Sequence, residues 1–388
     1  MKILFISPHS HSFEQNKGGA EQRTYLIIKA LTQFADVDFI AFHSAKGFDA
    51  LPIKVLFEKE VGESKLTHSK LDKWLPVLKF GDLQMLFPEN AAKMFIINDL
   101  VAKENYDFIV TRYIYKALEF GLLRYAKQIV VDADDSLEDF FKWQSRYSNS
   151  KSGKLRYGLL SLFSRAKTQK FVKEIHKITF ASQEKAIFYK GDYLPNIPFY
   201  EKICSPINFS QAKKRIFFIG SLWYEPNYMG INYFLKNIYQ KLVEKLPDVE
   251  FCIAGSMAGN EHLKTEWESY PNVKVLGFVE NLQAEYEKSR VVVVPIYQGA
   301  GTNIKVVEAL QMRRACVVSE FATRGFSAFF ADGRDYFVAK NDNNFVETLE
   351  KLLTDEKLNS QVAENGCEKV QQHFSFAVFA EKVRAILN

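Results

Sequence analysis

Cysteine is scarce: Cys204, Cys252, Cys316 and Cys367 are the only four, and no two of them form a CxxC pair. That excludes a zinc ribbon, a dithiol redox motif or a disulfide framework. Cys252 and Cys316 stand inside apolar strands, where a reduced thiol packs as a small hydrophobe. No apolar run approaches the roughly 20 residues that cross a bilayer. The apolar opening, residues 1–6, ends at Ser7-Pro8-His9 and reads as a first strand, not a signal peptide. A cytoplasmic address is the expectation. Internal repeats and low-complexity tracts are absent.

Acidic residues are missing from one long stretch. Between Phe140 and Lys173 there is no Asp or Glu, while Lys142, Arg146, Lys151, Lys154, Arg156, Arg165, Lys167, Lys170 and Lys173 are all basic. Trp143, Tyr147, Tyr157, Leu159, Leu160, Leu162 and Phe163 are interleaved with them. Tract 140–173 suits an anionic membrane surface and a peripheral attachment to it, and equally suits a solvated loop and helix face. A second basic and aromatic stretch covers 70–80. Neither has the form of a nucleic-acid module, so no nucleic-acid partner is expected.

What is present is ordinary for a globular protein: 388 residues, 47% hydrophobic and 25% charged, with a net charge of +5. The length allows two or three domains, each with its own core. Strand patterns at 2–7, 37–42, 107–111, 128–132 and 177–181 alternate with helical ones, beginning with a helix over 20–34. That rhythm predicts a doubly wound parallel sheet. Proline and polar residues from 193 to about 214 read as a linker. A second series follows: strands at 215–219, 249–254, 273–276, 291–296, 315–319 and 336–339, a helix over 228–246, and a nearly all-helical end from 344. The fold class is therefore α/β with two Rossmann-like sheets. The expected domains are 1–205 and 206–374, with a last helix, about 375–388, returning to the first. The strand C-termini are expected to open into a cleft between the domains.

The segment VVVVPIYQGAGTNIKVVEAL carries the most chemistry. A buried strand runs through Gly299-Ala300-Gly301-Thr302-Asn303 into a helix, so free backbone N–H groups and the positive helix end offer an anion site. The spacing of Gly301, Lys305 and Glu308 predicts one shared helix face. A phosphate would meet Gly301 N–H and Lys305, and Glu308 would accept hydrogen bonds from a sugar diol. An ordinary i,i+3 surface pair of Lys305 with Glu308 reads the same residues without a ligand.

In order and spacing, these pieces resemble the GT-B glycosyltransferases of family 4, also called group 1, along nearly the whole chain. The resemblance rests on KILFISP, Gly18-Gly19-Ala20-Glu21, Ala181-Ser182-Gln183-Glu184-Lys185 and Pro195-Asn196 in the first half. In the second half it rests on Phe218-Ile219-Gly220-Ser221, Ile253-Ala254-Gly255, Val275-Leu276-Gly277-Phe278 and GAGTNIKVVEAL. It implies a retaining transferase that uses a nucleotide sugar, a UDP- or GDP-sugar, with no other cofactor and no metal. It implies a glycan or lipid-linked acceptor and a role in bacterial surface polysaccharide synthesis. Glu308 matches the second glutamate of the family's E-x7-E motif, which binds the donor ribose, while Ala300 stands where the first glutamate would be. The basic residues that often follow the glycine of Gly220-Ser221 are also missing, and Lys305, then Arg324, are the expected substitutes.

On the acceptor or phosphate side, the expected residues are His9, Gly18, Gly19, Arg112, Asp134 and Asp135. The Asp132-Ala133-Asp134-Asp135 cluster admits three readings: an acceptor patch, a DxD metal site of GT-A type, and a helix N-cap. Two rivals remain beside the transferase. One is a nonenzymatic, degenerate GT-B protein bound to membrane or to a glycan-assembly complex; the other is a nucleotide-sugar epimerase.

Overall fold

The computed structural model describes residues 1–14, 18–61, 88–148 and 150–388. The basic and aromatic stretch 70–80 lies outside them. The chain forms two compact units, Met1–Phe199 with Phe376–Asn388, and Tyr200–Ser375.

The first unit is built on a seven-stranded parallel sheet. Its strands are β1 (Lys2–Ile6), β2 (Asp36–Ala41), β3 (Lys54–Glu58), β4 (Phe108–Arg112), β5 (Ile129–Asp134), β6 (Lys177–Phe180) and β7 (Asp192–Tyr193). They lie in the order β3-β2-β1-β4-β5-β6-β7. Ile3, Leu4, Phe5 and Ile6 are fully buried, as expected for a central parallel strand covered on both faces. The order reverses between β1 and β4, and at such a switch point in an open α/β sheet the strand C-termini frame a crevice. The helix Gly19–Leu31 follows β1, and the C-terminal helix Phe376–Leu387 packs against it. Lys29 Nζ lies 4.3 Å from the centre of the Phe376 ring.

The second unit has six parallel strands: β8 (Arg215–Ile219), β9 (Glu250–Ala254), β10 (Val273–Gly277), β11 (Val291–Val294), β12 (Ala315–Ser319) and β13 (Phe337–Ala339). Their order is β10-β9-β8-β11-β12-β13, which puts the switch point between β8 and β11. Val291 to Val294 are all fully buried. Both sheets have the doubly wound parallel form that the alternating pattern predicts.

Several boundaries differ from the sequence expectation. The strand predicted to reach residue 296 stops at Val294, because Pro295 has no N–H to give the ladder. The helix expected over 228–246 begins earlier, at Glu225, where Pro226 tolerates the first turn. It then passes through a π-helical stretch, Leu235–Tyr239, before Gln240–Lys245. Strand β3 was not anticipated: it is an edge strand with charged ends and little burial, and its apolar run, Val55 to Phe57, is too short to stand out. Among the described residues, no helix is long and apolar enough to cross a membrane.

Candidate functional site

In the second unit, three loops at the C-terminal ends of neighbouring strands meet at the switch point. The first follows β8 and runs from Gly220 to Tyr224, with Asn227 in the first turn of the helix after it. The second, after β11, is the glycine turn, and the third follows β12. Glycine is required where they touch one another and where the loop after β9 meets the first of them. A Cβ on Gly255 would lie 1.7 Å from the Gly220 carbonyl oxygen, at φ +139. One on Gly299, at φ +126, would lie 3.0 Å from Pro226 Cγ. A Cβ on Gly325 would lie 2.6 Å from Thr302 Cγ2. Positive φ at all three positions, with close backbone contact at Gly255 and close side-chain contacts at Gly299 and Gly325, explains the glycines.

The helix after the glycine turn spans Ile304–Gln311, with Asn303 at its N-cap. This corrects the expected face. Gly301, at φ +82, lies before the helix and not on it, so only Lys305 and Glu308 share a helical face. Lys305 Nζ donates to Asn227 Oδ1 at 2.7 Å and lies 5.4 Å from the centre of the Phe218 ring. Asn227 Nδ2 in turn donates to the Ser221 carbonyl at 2.8 Å. Asn227 is buried, and it ties the β8 loop to the basic residue of the β11 loop. Gly220 packs against it: a Cβ there would lie 2.9 Å from Asn227 Nδ2. Ser221 is exposed, Ala300 and Thr302 are half-buried, and exposed Arg324 reaches back to the turn. Its Nη2 donates to the carbonyls of Gly299 at 3.3 Å and Gly301 at 3.2 Å.

Lys305 and Glu308 are both half-buried. Desolvation lowers the Lys305 ammonium to about 8, against the pull of Glu308. Desolvation likewise raises the Glu308 carboxyl to about 7, against the pull of Lys305. A lysine and a carboxyl poised near neutrality beside a glycine turn form an arrangement that an anion and a hydroxyl pair would complete. Sequence reasoning missed Asn227. A polar residue in the first turn of a helix has many roles, and only its burial required it to find partners.

The first unit places its sequence-predicted residues differently. Arg112 is the last residue of β4 but is turned inward, fully buried. It donates to Asp132 at 2.7 Å, Asp134 at 2.5 Å and Thr24 Oγ1 at 3.0 Å, as well as to the Ala20 carbonyl. Arg23, also buried, donates to both Asp132 oxygens at 2.9 and 2.7 Å and to the carbonyls of Leu194 and Pro195. The structure therefore corrects two expectations. Arg112 is a structural cation whose donors are taken up by protein, so it does not face an acceptor. Asp132 and Asp134 pair with guanidinium groups, so they are not a DxD metal site. The two arginines hold the buried Asp132 carboxyl below its usual range despite the cost of burial. The N-cap of the next helix, Leu137–Tyr147, is Ser136 rather than an aspartate. Asp135 is half-buried.

His9 lies behind β1, with Nε2 2.7 Å from Thr24 Oγ1 and Nδ1 3.5 Å from Glu21 Oε1. Burial, followed by the Arg112 charge, pushes its imidazolium down to about 3, so the ring is neutral near pH 7. Gly18 caps the helix Gly19–Leu31 at an ordinary φ of −68. A Cβ on Gly19 would meet nothing within 4 Å. Among the described residues, the grouping of His9 with His11 and Glu21 was not assembled from sequence, because only the fold brings the helix turn onto the loop.

Two parallel doubly wound sheets, each with its loops at a switch point, define a two-domain α/β protein of GT-B class. Residues 213–355 match the family model of glycosyl transferases group 1. The fold is similar to that of sucrose-phosphate synthase from Thermosynechococcus elongatus, with TM-score 0.68 and 16% identity over 99% of this chain and 97% of the other. It is also similar to Anabaena HepE in complex with UDP and glucose, with TM-score 0.66 and 16% identity over 100% of this chain and 99% of the other. In sequence, 308 residues are 20% identical to an uncharacterized 44.6 kDa protein in the cps region of Klebsiella pneumoniae, covering 76% of this chain and 78% of that one. Residues 213–355 thus carry a glycosyl transferases group 1 domain, and the whole chain has the GT-B fold of these solved structures.

Proposed function

We propose that the protein is a retaining, family 4 glycosyltransferase that moves a sugar from a nucleotide diphosphate, UDP or GDP, to a glycan or lipid-linked acceptor. The second unit takes the donor and the first takes the acceptor. The observation that carries the reading is Lys305, held by Asn227 beside the glycine turn, with Glu308 one turn further along the same helix. When the bond from sugar C1 to the diphosphate breaks, negative charge grows on the leaving phosphate. Fixed donors aimed at that charge lower the barrier: the N–H groups of the Gly299–Asn303 turn and Lys305, supported by Arg324. Ionised Glu308 accepts from the ribose hydroxyls. Ser221 and Gly220 border the same loops and complete the donor side. Gly19, in the open space noted above, belongs to the acceptor side with Gly18 and His9.

UDP in the similar Anabaena protein supports a nucleotide donor, and the Klebsiella relative in a cps region supports surface polysaccharide synthesis. The site of action is the inner face of the plasma membrane, reached from the cytoplasm. The helix Lys151–Glu174 exposes Leu155, Leu159 and Leu162 beside Lys151, Lys154 and Arg165, and nearby Ile187 is 73% exposed. An apolar stripe flanked by cations suits anionic lipid.

The test is thermal stabilisation by a panel of nucleotides and nucleotide sugars, with Glu308→Ala in parallel. A shift for one nucleotide, lost in the variant, supports the donor site and names the base. No shift with any of them in a folded sample overturns the reading.

A further inference from the structure

A cluster outside the donor loops has the composition of a metal site. His9 and His11 lie two residues apart in the loop after β1, and Glu21 lies in the first turn of the helix Gly19–Leu31. His11 Nε2 is 2.9 Å and His9 Nδ1 is 3.5 Å from the same atom, Glu21 Oε1. The three ligand atoms all lie within 4.8 Å of one another. Around a tetrahedral ion with bonds of about 2.0–2.1 Å, ligand atoms stand a little over 3 Å apart, a spacing that the two distances to Glu21 Oε1 bracket.

The partners of His9 add an independent argument. Thr24 Oγ1 receives a hydrogen bond from Arg112 Nη1 and sends its own proton towards the Ala20 carbonyl at 3.2 Å. It is therefore placed to accept Nε2–H of His9, which leaves the Nδ1 lone pair directed at Glu21. In that tautomer two acceptors face each other across 3.5 Å, and a cation between them turns a repulsion into two bonds. Metal-bound histidines characteristically donate their other ring N–H to such an outer partner. Charge agrees as well. Arg23 and Arg112 are matched by Asp132 and Asp134, so the Glu21 carboxylate is not needed to neutralise them.

We propose that His9 Nδ1, His11 Nε2 and Glu21 Oε1 bind a divalent transition-metal ion. Two imidazoles and one carboxylate match zinc, with water in the fourth position, and disfavour magnesium or calcium, which take oxygen ligands. The ion would fasten the β1 loop to the start of the following helix. This is a site in the first unit and is independent of the donor reading.

The experiment uses the full chain, stripped with EDTA, desalted and titrated with Zn²⁺ against a chromophoric chelator. The expected result is one equivalent bound, with Co²⁺ giving the visible absorption of a tetrahedral N/O site. His11→Ala, whose side chain is 35% exposed, and the isosteric Glu21→Gln should each weaken binding by at least the roughly 10–100-fold that loss of an outer partner costs. Melting curves recorded without metal check that both variants fold. Two results would overturn the site: no uptake by the unaltered chain, which means Nδ1 carries a proton for Glu21, or uptake equally tight in both variants, which puts the ion elsewhere. Neither readout depends on transferase activity.

Discussion

Lys305 Nζ donates to Asn227 Oδ1 at 2.7 Å, joining a helix that follows β11 to a helix that follows β8. The same asparagine amide holds the Ser221 carbonyl. Replacing Asn227 by alanine removes both ties and leaves a half-buried ammonium with one partner fewer. A hydrogen bond to a charged group contributes about 1.5–3 kcal/mol. Asn227→Ala should therefore weaken nucleotide binding by about 10–100-fold, and calorimetric titration measures it.

Donor affinity should follow a bell in pH. Glu308 accepts from the ribose only once ionised, so affinity rises as pH passes about 7. Lys305 holds the phosphate only while charged, so affinity falls as pH passes about 8. The maximum lies between these values, and Glu308→Gln should flatten the acid limb while leaving the alkaline one. Binding measured across the pH range in one buffer series checks both limbs.

Gly255→Ala should disable the second unit. The new methyl would stand 1.7 Å from the Gly220 carbonyl oxygen, in a backbone conformation that L side chains rarely adopt. Strain and overpacking together should cost about 2–4 kcal/mol. Denaturant unfolding gives the loss, and nucleotide stabilisation of the melting temperature should fall with it.

Asp132→Asn leaves Arg23 and Arg112 short of a buried counter-charge, a change that typically costs about 3–5 kcal/mol. The folded carboxyl lies below its usual range, so its contribution is present above the ordinary aspartate pKa and is lost as pH falls towards the lower folded value. Acid should therefore destabilise the unaltered protein more than Asp132→Asn. Chemical denaturation at neutral and acid pH compares the two.

Lys151→Glu with Lys154→Glu should lower flotation with anionic vesicles and leave binding to neutral ones unchanged. Each cation near such a surface contributes about 1 kcal/mol. Both lysines are exposed on the helix that carries Leu155 and Leu159. Flotation that is equal on neutral and anionic lipid would remove the charge-based attachment.

The sequence by itself determined the two parallel sheets. Runs such as Val291–Val294 and Ile3–Ile6 are apolar without alternation, and only a strand covered on both faces explains that. It also determined the glycine turn with Lys305 and Glu308 following, because those residues are neighbours along the chain. Strand β3 was illegible, since at an exposed edge its apolar run is only three residues long. Tertiary structure alone decided what each charged residue faces. Arg112 and Asp134 stand at strand ends, where a ligand is expected, yet each found the other at 2.5 Å across 22 residues. Asn227 reached Lys305 across 78 residues and Glu21 met His9 across 12, separations that no local periodicity encodes. A buried polar group takes the nearest partner that the fold supplies, and that choice is made in space rather than along the chain.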